Sequence, residues 1–452
     1  MYRFFPEVIV NVHSCFIFRL SALVLISIAA HATPPQWTLD ADRIARTDTP
    51  SVQGTAVIGS NVEGLLAYAK ARNPEYASMQ FDVDAATARA AGAGRLPDPK
   101  LRMELMDISM AGQQNATLWP SRVGSTIYTL MQDVPWFGKR ALQRDIAELE
   151  AQGAKGRAAG TWAELAARIK AGFAQLYAIH KNQRLNHEIL DLLARLEQVA
   201  QVRYAAGLAV QADAIRAQVE MTNTRNELIA LENDRRMAEV RLNMLLARPA
   251  DAALATPMRL RVLPPPVRLE SAALEARVRA GNPQLFTDEA RHGAAIKNRD
   301  LAYRNRYPDF SFGIAPTQTR NAIRDWGVML EVNIPLQQSP RRADEREAEA
   351  MLAAALARRE ATANTIAAEL AENLSGLDAA RRTAQAINDS LLPQAELTFQ
   401  SALASYETGK VDFATLLDAQ RQIRIAKQNL FKAEAEAQIR LAAIERLLGE
   451  EL

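Results

Sequence analysis

The 452-residue sequence predicts a mainly α-helical protein with a small β part, built as two tandem copies of one unit in which a pair of short strands precedes a very long helical hairpin. Three observations predict it. Tyr204-x-x-Gly207-Leu208 returns as Tyr406-x-x-Gly409-Lys410, residues 139–204 and 341–406 run long with little Gly or Pro, and apolar alternation of period two appears at four places. An internal repeat of this size decides the architecture before any single residue is weighed.

Four landmarks recur in the same order. Asn73-Pro74 matches Asn282-Pro283, Arg95-x-Pro97-Asp98 matches Arg306-x-Pro308-Asp309, Val134-Pro135 matches Ile334-Pro335, and the two Tyr-x-x-Gly motifs close the series. The spacing of the copies shortens, by about eleven residues, only between the second and third landmarks, which places the length change in a surface loop and keeps the helices in register.

That segment carries the strands. Leu101, Met103 and Leu105 alternate with Arg102 and Glu104; Ile127, Thr129 and Met131 alternate likewise; Phe310, Phe312 and Ile314, then Val328, Leu330 and Val332, repeat the pattern. Alternation of this kind marks strands with one apolar face, near 100–110, 126–134, 310–316 and 328–334. Polar loops are predicted near Ala111 to Arg122 and Thr317 to Asp325. Trp119, Trp136 and Trp326 fall in or beside the strands, where aromatic residues suit a lipid–water girdle as well as the packing of strand ends.

The rest reads as helix. Residues 139–204 and 341–406 would each span roughly 100 Å at about 1.5 Å per residue, more than a globular core needs. In the last helix Leu416, Ile423, Leu430, Ala437 and Ile444 recur every seven residues, with Ala419, Ala426, Ala433 and Leu447 beside them and a break at Arg440. Such a seam predicts left-handed supercoiling against a neighbour, and alanine permits close approach. Pro393 predicts a kink, and Pro264-Pro265-Pro266 an extended connection between the copies. Gly207 and Gly409 suit a left-handed helix end, so each Tyr-x-x-Gly motif reads as a hairpin turn.

Arg19 followed by the apolar run Leu20 to Ala30, with small residues at Ala30 and Ala32, predicts a cleaved export signal at 1–32; an uncleaved anchor is the alternative. The divisions that follow are an N-terminal extension at 33–61, a first repeat at 62–250 with its hairpin at 139–247, a proline-rich linker at 251–267, and a second repeat at 268–452 with its hairpin at 341–448. The only cysteine, Cys15, precedes the cleavage point, which leaves the mature chain without a disulfide or a thiolate metal site. No later apolar stretch is long enough for a transmembrane helix, so any membrane-spanning part must be a closed β-barrel. With 54 basic and 52 acidic residues and no basic block, nothing favours nucleic acid. His180, His187 and His292 sit in no catalytic or metal motif, and neither an enzyme nor a cofactor is implied.

The doubled order of Asn73-Pro74, Val134-Pro135-Trp136-Phe137-Gly138-Lys139-Arg140, Arg203-Tyr204-x-x-Gly207, Ser405-Tyr406-x-x-Gly409 and Leu416-Leu417-Asp418-Ala419-Gln420, from about Val62 to Leu448, resembles the TolC family of outer-membrane efflux channels. The resemblance implies a homotrimer in which each chain gives four strands to a twelve-stranded barrel in outer-membrane lipid, and in which the helices form a periplasmic tunnel. It implies two further partners, a periplasmic adaptor (membrane fusion protein) and an inner-membrane pump of the resistance-nodulation-division type. It places the adaptor contact at the hairpin tips, here Arg203, Tyr204, Gly207, Leu208, Tyr406, Gly409 and Lys410, and a periplasmic aperture near Asp213 and Asp418. Val411 and Thr415 stand where some members carry arginine and aspartate. The Pro135 to Lys139 segment resembles members that serve heavy-metal efflux, with drug or small organic efflux and protein export as alternatives. An exported coiled-coil protein or an adaptor would explain the helices, yet neither explains two strand pairs.

Overall fold

The computed structural model describes residues 58–108, 118–120, 123–319 and 322–452. The predicted signal at 1–32, nearly all of the extension at 33–61 and most of the first strand loop lie outside them. In chain order the elements are α1 (Val62–Arg72), α2 (Pro74–Gly92), β1 (Lys100–Met106), β2 (Ser125–Val134), α3 (Lys139–Ala205), α4 (Gln211–Leu245), α5 (Ser271–Gly281), α6 (Pro283–Arg304), β3 (Asp309–Thr319), β4 (Ala322–Asn333), α7 (Gln338–Ala386), α8 (Leu392–Glu407) and α9 (Phe413–Leu448).

The Asn-Pro landmarks do two jobs each. The Asn73 side chain accepts from Tyr76 N at the start of α2 and donates to Leu245 O at 2.8 Å; Asn282 accepts from Leu285 N at the start of α6 and donates to Leu447 O at 2.8 Å. One amide therefore caps a helix whose first N–H groups lack partners and also ties it to the far end of its own long hairpin. Proline follows because its missing N–H costs nothing at the first helical position. Beside these ties α1 packs Leu65 and Ala69 against Ile169 and Phe173 of α3, and α5 packs Leu274 and Val278 against α7 and α9.

The seam of α9 is buried as its seven-residue period predicts, with Leu416, Ala419, Ala426, Ala437 and Ile444 inside. At the Arg440 break the guanidinium donates to Glu436 and reaches Asn373 on α7, and Gly376 leaves it room, since a Cβ there would lie 2.9 Å from its Nε. Before Pro393 the structure has one π-helical turn, Ile387–Leu391, which absorbs the hydrogen bond that proline cannot donate. Of the three linker prolines only the first two are extended, because Pro266 opens a 3-10 turn to Leu269.

The four strands form one antiparallel sheet in the order β1-β2-β3-β4. Two sequence expectations are corrected here. First, β3 and β4 run to Thr319 and from Ala322, so the predicted loop from Thr317 to Asp325 is almost entirely strand. Second, Ile127, Thr129 and Met131 do not share the apolar face. Ile127 pairs with Glu104, Thr129 with Arg102 and Met131 with Lys100, whereas Leu101, Leu130, Ile314 and Val328 form one row across all four strands. The reason is that β2 is apolar at both parities, and only pairing with its neighbours decides which set faces which way.

Candidate functional site

The row from Leu101 to Val328 belongs to a face on which Met103, Phe312, Leu330 and Trp326 are also exposed. The opposite face carries the charged side chains, among Ile127, Thr129 and Met131: Lys100 pairs with Asp133 at 2.7 Å, and Ser311 donates to the same carboxylate at 2.6 Å. Trp136 stacks on Tyr307 with ring centroids 5.1 Å apart and interplanar angle 8°, at the end of the sheet from which the helices leave; Trp326 lies in the half of β4 away from those helices. An apolar band between aromatic residues, backed by a charged face, is the arrangement of a strand that separates lipid from a wet lumen. Lys139 Nζ, buried at this corner, is held at 2.9 Å by Asp309 and at 3.1 Å by Tyr307 O, which locks α3 to β3.

At the other end of the molecule lie the two hairpin tips. Gly207 has φ +73° and Gly409 φ +74°. Leu208 N donates to Arg203 O and Lys410 N to Ser405 O, each at 2.8 Å, so both turns close through the same six-residue loop with glycine at the left-handed position. Arg203 joins the tips: its Nη1 donates to Glu407 O at 2.5 Å, its Nη2 to Leu208 O at 3.4 Å, and its guanidinium lies over the Tyr406 ring.

The predicted tip residues divide in two. Tyr204, Gly207, Leu208, Gly409 and Lys410 are exposed, but Tyr406 is only 3% exposed, packed on Phe413 with ring centroids 5.3 Å apart. Tyr406 is corrected from a surface contact to a core residue, because its ring completes a cluster with Leu196, Ala217, Ala402 and Leu416 drawn from both hairpins. Burial first, and the nearby Asp213 charge second, push its hydroxyl above the ordinary tyrosine range.

The aperture candidates also part. Asp418 is exposed, its side chain 68% accessible and 3.5 Å from Arg421, whereas Asp213 is buried at 7%. Asp213 lies inside the tip of the single chain, where α4 turns it toward Tyr406. Sequence reasoning missed the neighbouring network. Buried Glu220 of α4 accepts from Arg421 at 2.8 Å and lies 3.3 Å from Arg424, while Glu227 takes Gln428 at 2.6 Å. Its signal was present as Glu220 and Glu227 seven apart on α4, opposite arginines one turn apart on α9. The hydrogen bond from Arg421 holds Glu220 below the ordinary carboxylate range against the opposing effect of burial.

A sheet with one lipid-facing side and two unpaired edge strands, carried on helices far longer than a core requires, defines a subunit of a membrane channel, because four strands cannot close on themselves. Among the described residues no helix is long and apolar enough to cross a membrane. Residues 65–248 and 275–450 match the family model described as outer membrane efflux protein, and the chain belongs to that family. It is an outer-membrane efflux channel, extending into the periplasm, and as a channel it is not an enzyme. The chain is 25% identical over 398 residues to the cobalt-zinc-cadmium resistance protein CzcC of Cupriavidus metallidurans, covering 86% of this chain and 90% of that protein. In fold it resembles the outer-membrane channel OprN (TM-score 0.72, 19% identity, 88% and 93% of the two chains), CusC (0.73, 18%, 88% and 96%) and VceC of Vibrio cholerae (0.73, 17%, 86% and 96%).

Proposed function

We propose that this chain is the exit duct for metal cations in a tripartite export system. The observation that carries the reading is the near full-length likeness to a cobalt-zinc-cadmium resistance protein. Members of the family act as trimers with a periplasmic adaptor and an inner-membrane pump. The same assembly is proposed for this chain, with a pump of the resistance-nodulation-division type; the two open sheet edges support the trimer, since β4 of one copy can pair with β1 of the next until the barrel closes. The adaptor docks at the exposed tip residues Tyr204, Leu208 and Lys410, and the duct is passive, with cargo choice made by the pump. The polar sheet face, with Asp133 and Glu331, keeps the lumen wet and cation-tolerant.

The test is metal tolerance in a strain lacking the gene. Sensitivity to cobalt, zinc or cadmium, with metal retained in the cell and export restored by the wild-type gene, supports the reading. Unchanged metal tolerance alongside new sensitivity to organic toxicants would overturn it.

A further inference from the structure

The chain as a whole is balanced, with 54 basic and 52 acidic residues, but its strand–helix corners are not. Arg95 precedes β1, Lys139 and Arg140 follow β2, Arg304 and Arg306 precede β3, and Arg341 and Arg342 follow β4; in those corners, residues 94–99, 134–142, 304–309 and 334–342, the carboxylates are Asp98 and Asp309. Asp309 is taken by Lys139 and Arg306 by Glu345. Among the described residues, Arg95, Arg140, Arg304, Arg341 and Arg342 have no carboxylate within ion-pair distance.

Three of these guanidiniums are anchored without being neutralised. Arg140 donates to Gly94 O at 2.7 Å, Arg304 to Phe137 O at 3.0 Å, and Arg341 to Asn305 O, so each corner is sewn to the one before it through a main-chain carbonyl. A carbonyl accepts a hydrogen bond but leaves the charge in place. Beside them stand exposed apolar side chains, Phe137 at 77% and Leu336 at 82%. All of this adjoins the Trp136–Tyr307 stack that ends the lipid-facing band. Apolar groups interleaved with arginines that lack a carboxylate at ion-pair distance, continuous with a lipid face, match the boundary between acyl chains and headgroups; bulk water would leave the apolar groups stranded, and hydrocarbon the charges.

We propose that these corners form a basic collar that binds the phosphodiester headgroups of anionic phospholipids in the periplasmic leaflet, with the exposed Arg95, Arg304 and Arg342 making the headgroup contacts and Phe137 and Leu336 entering the acyl region. Arginine suits this role because its planar fork takes two phosphate oxygens at once. Anionic lipid is favoured over zwitterionic lipid because the latter brings its own ammonium into a site already in excess of positive charge. Basic side chains at a membrane surface act over about a Debye length, which these corners satisfy by adjoining the apolar band. The inference is independent of the cargo.

The test uses the full-length channel in nanodiscs of phosphatidylethanolamine with a minor fraction of phosphatidylglycerol, followed by native mass spectrometry of the lipids that remain bound. Wild type should retain phosphatidylglycerol well above its share of the disc and lose the excess at high salt. The Arg95→Gln, Arg304→Gln, Arg342→Gln triple variant should reduce that excess by roughly an order of magnitude, and the matching lysine variant should keep most of it. Of the three arginines that sew the corners, Arg140 and Arg341 are left in place, so that two of the three ties still hold the sheet. Retention at the disc's own composition in wild type, or undiminished excess in the glutamine variant, would overturn the proposal, as would displacement of the lipid by inorganic phosphate, which would mark a free-anion site. Should the glutamine variant fail to assemble, the salt and composition dependence of wild type decides on the same criteria.

Discussion

The guanidinium of Arg203 lies 5.0 Å over the ring of Tyr406, and the two residues come from different hairpins. With the bond from Arg203 to Glu407 O, this single side chain makes the two tips one mechanical unit. Arg203→Ala should loosen both. A charged hydrogen bond and a cation–π contact together are worth about 2 kcal/mol, so amides at 405–411 should exchange with solvent roughly thirtyfold faster. Unchanged exchange there would show that the shared core of Phe413 and Leu416 holds the tips without the arginine.

The left-handed turns make a paired prediction. An added Cβ at Gly207 meets no atom within 4 Å, so any penalty there comes from φ alone. Gly207→Val with Gly409→Val should strain the turns by about 1 kcal/mol or more each, and lower efflux while the protein still reaches the outer membrane. Conversely, Ala247 has φ +53° at the end of α4, where the second repeat has Gly449 at φ +73°. Ala247→Gly should relieve that strain and raise the melting temperature, by up to about 1 kcal/mol in stability. A lower melting temperature would mean that the added freedom of the unfolded chain outweighs the relief.

Acid should loosen the helical body. Burial alone would raise the Glu445 carboxyl, but hydrogen bonds and charge from Arg261 and Lys170 outweigh it and hold it low; Glu220 is held low by Arg421. A carboxyl depressed in the folded state contributes stability that is present above its unfolded pKa, about 4.3, and is lost as pH falls through the folded value. Thermal melts by circular dichroism should therefore drop below about pH 4.5. Glu220→Gln should cost stability at neutral pH, by leaving Arg421 and Arg424 without their shared partner, and should flatten the acid drop. A variant that melts with the parent's pH profile would remove Glu220 from this account.

The separation of the two aspartates can be tested electrically. Asp418, exposed near the tips, should contribute to a ring of carboxylates in the assembled channel, and Asp418→Asn should weaken cation preference and multivalent-cation block in low-salt bilayer recordings. Buried Asp213→Asn should leave both nearly unchanged and instead lower the pH at which Tyr406 ionises, seen by ultraviolet titration. The reverse pattern would place Asp213 on the passage and Asp418 off it.

Periodicity and repetition carried much of this protein into view without coordinates. The paired Asn-Pro and Tyr-x-x-Gly landmarks, the seven-residue seam from Leu416 to Ile444 and the alternation of β1, β3 and β4 are local patterns, and local patterns determine which elements form and which face is apolar. Tertiary structure decided everything that depends on partners distant in sequence. It turned Ile127, Thr129 and Met131 away from lipid because β2 is apolar at both parities and its register is set by β1 and β3. It drew Tyr406 and Asp213 inward because two hairpins about 200 residues apart close over a common core, and no spacing along one helix reveals which side its neighbour will cover. It also brought the corner arginines onto main-chain carbonyls of the adjoining corner, where the sequence shows only scattered charge. A side chain's identity is written locally, but its exposure and its partner are set by the packing of elements that meet only in the folded chain.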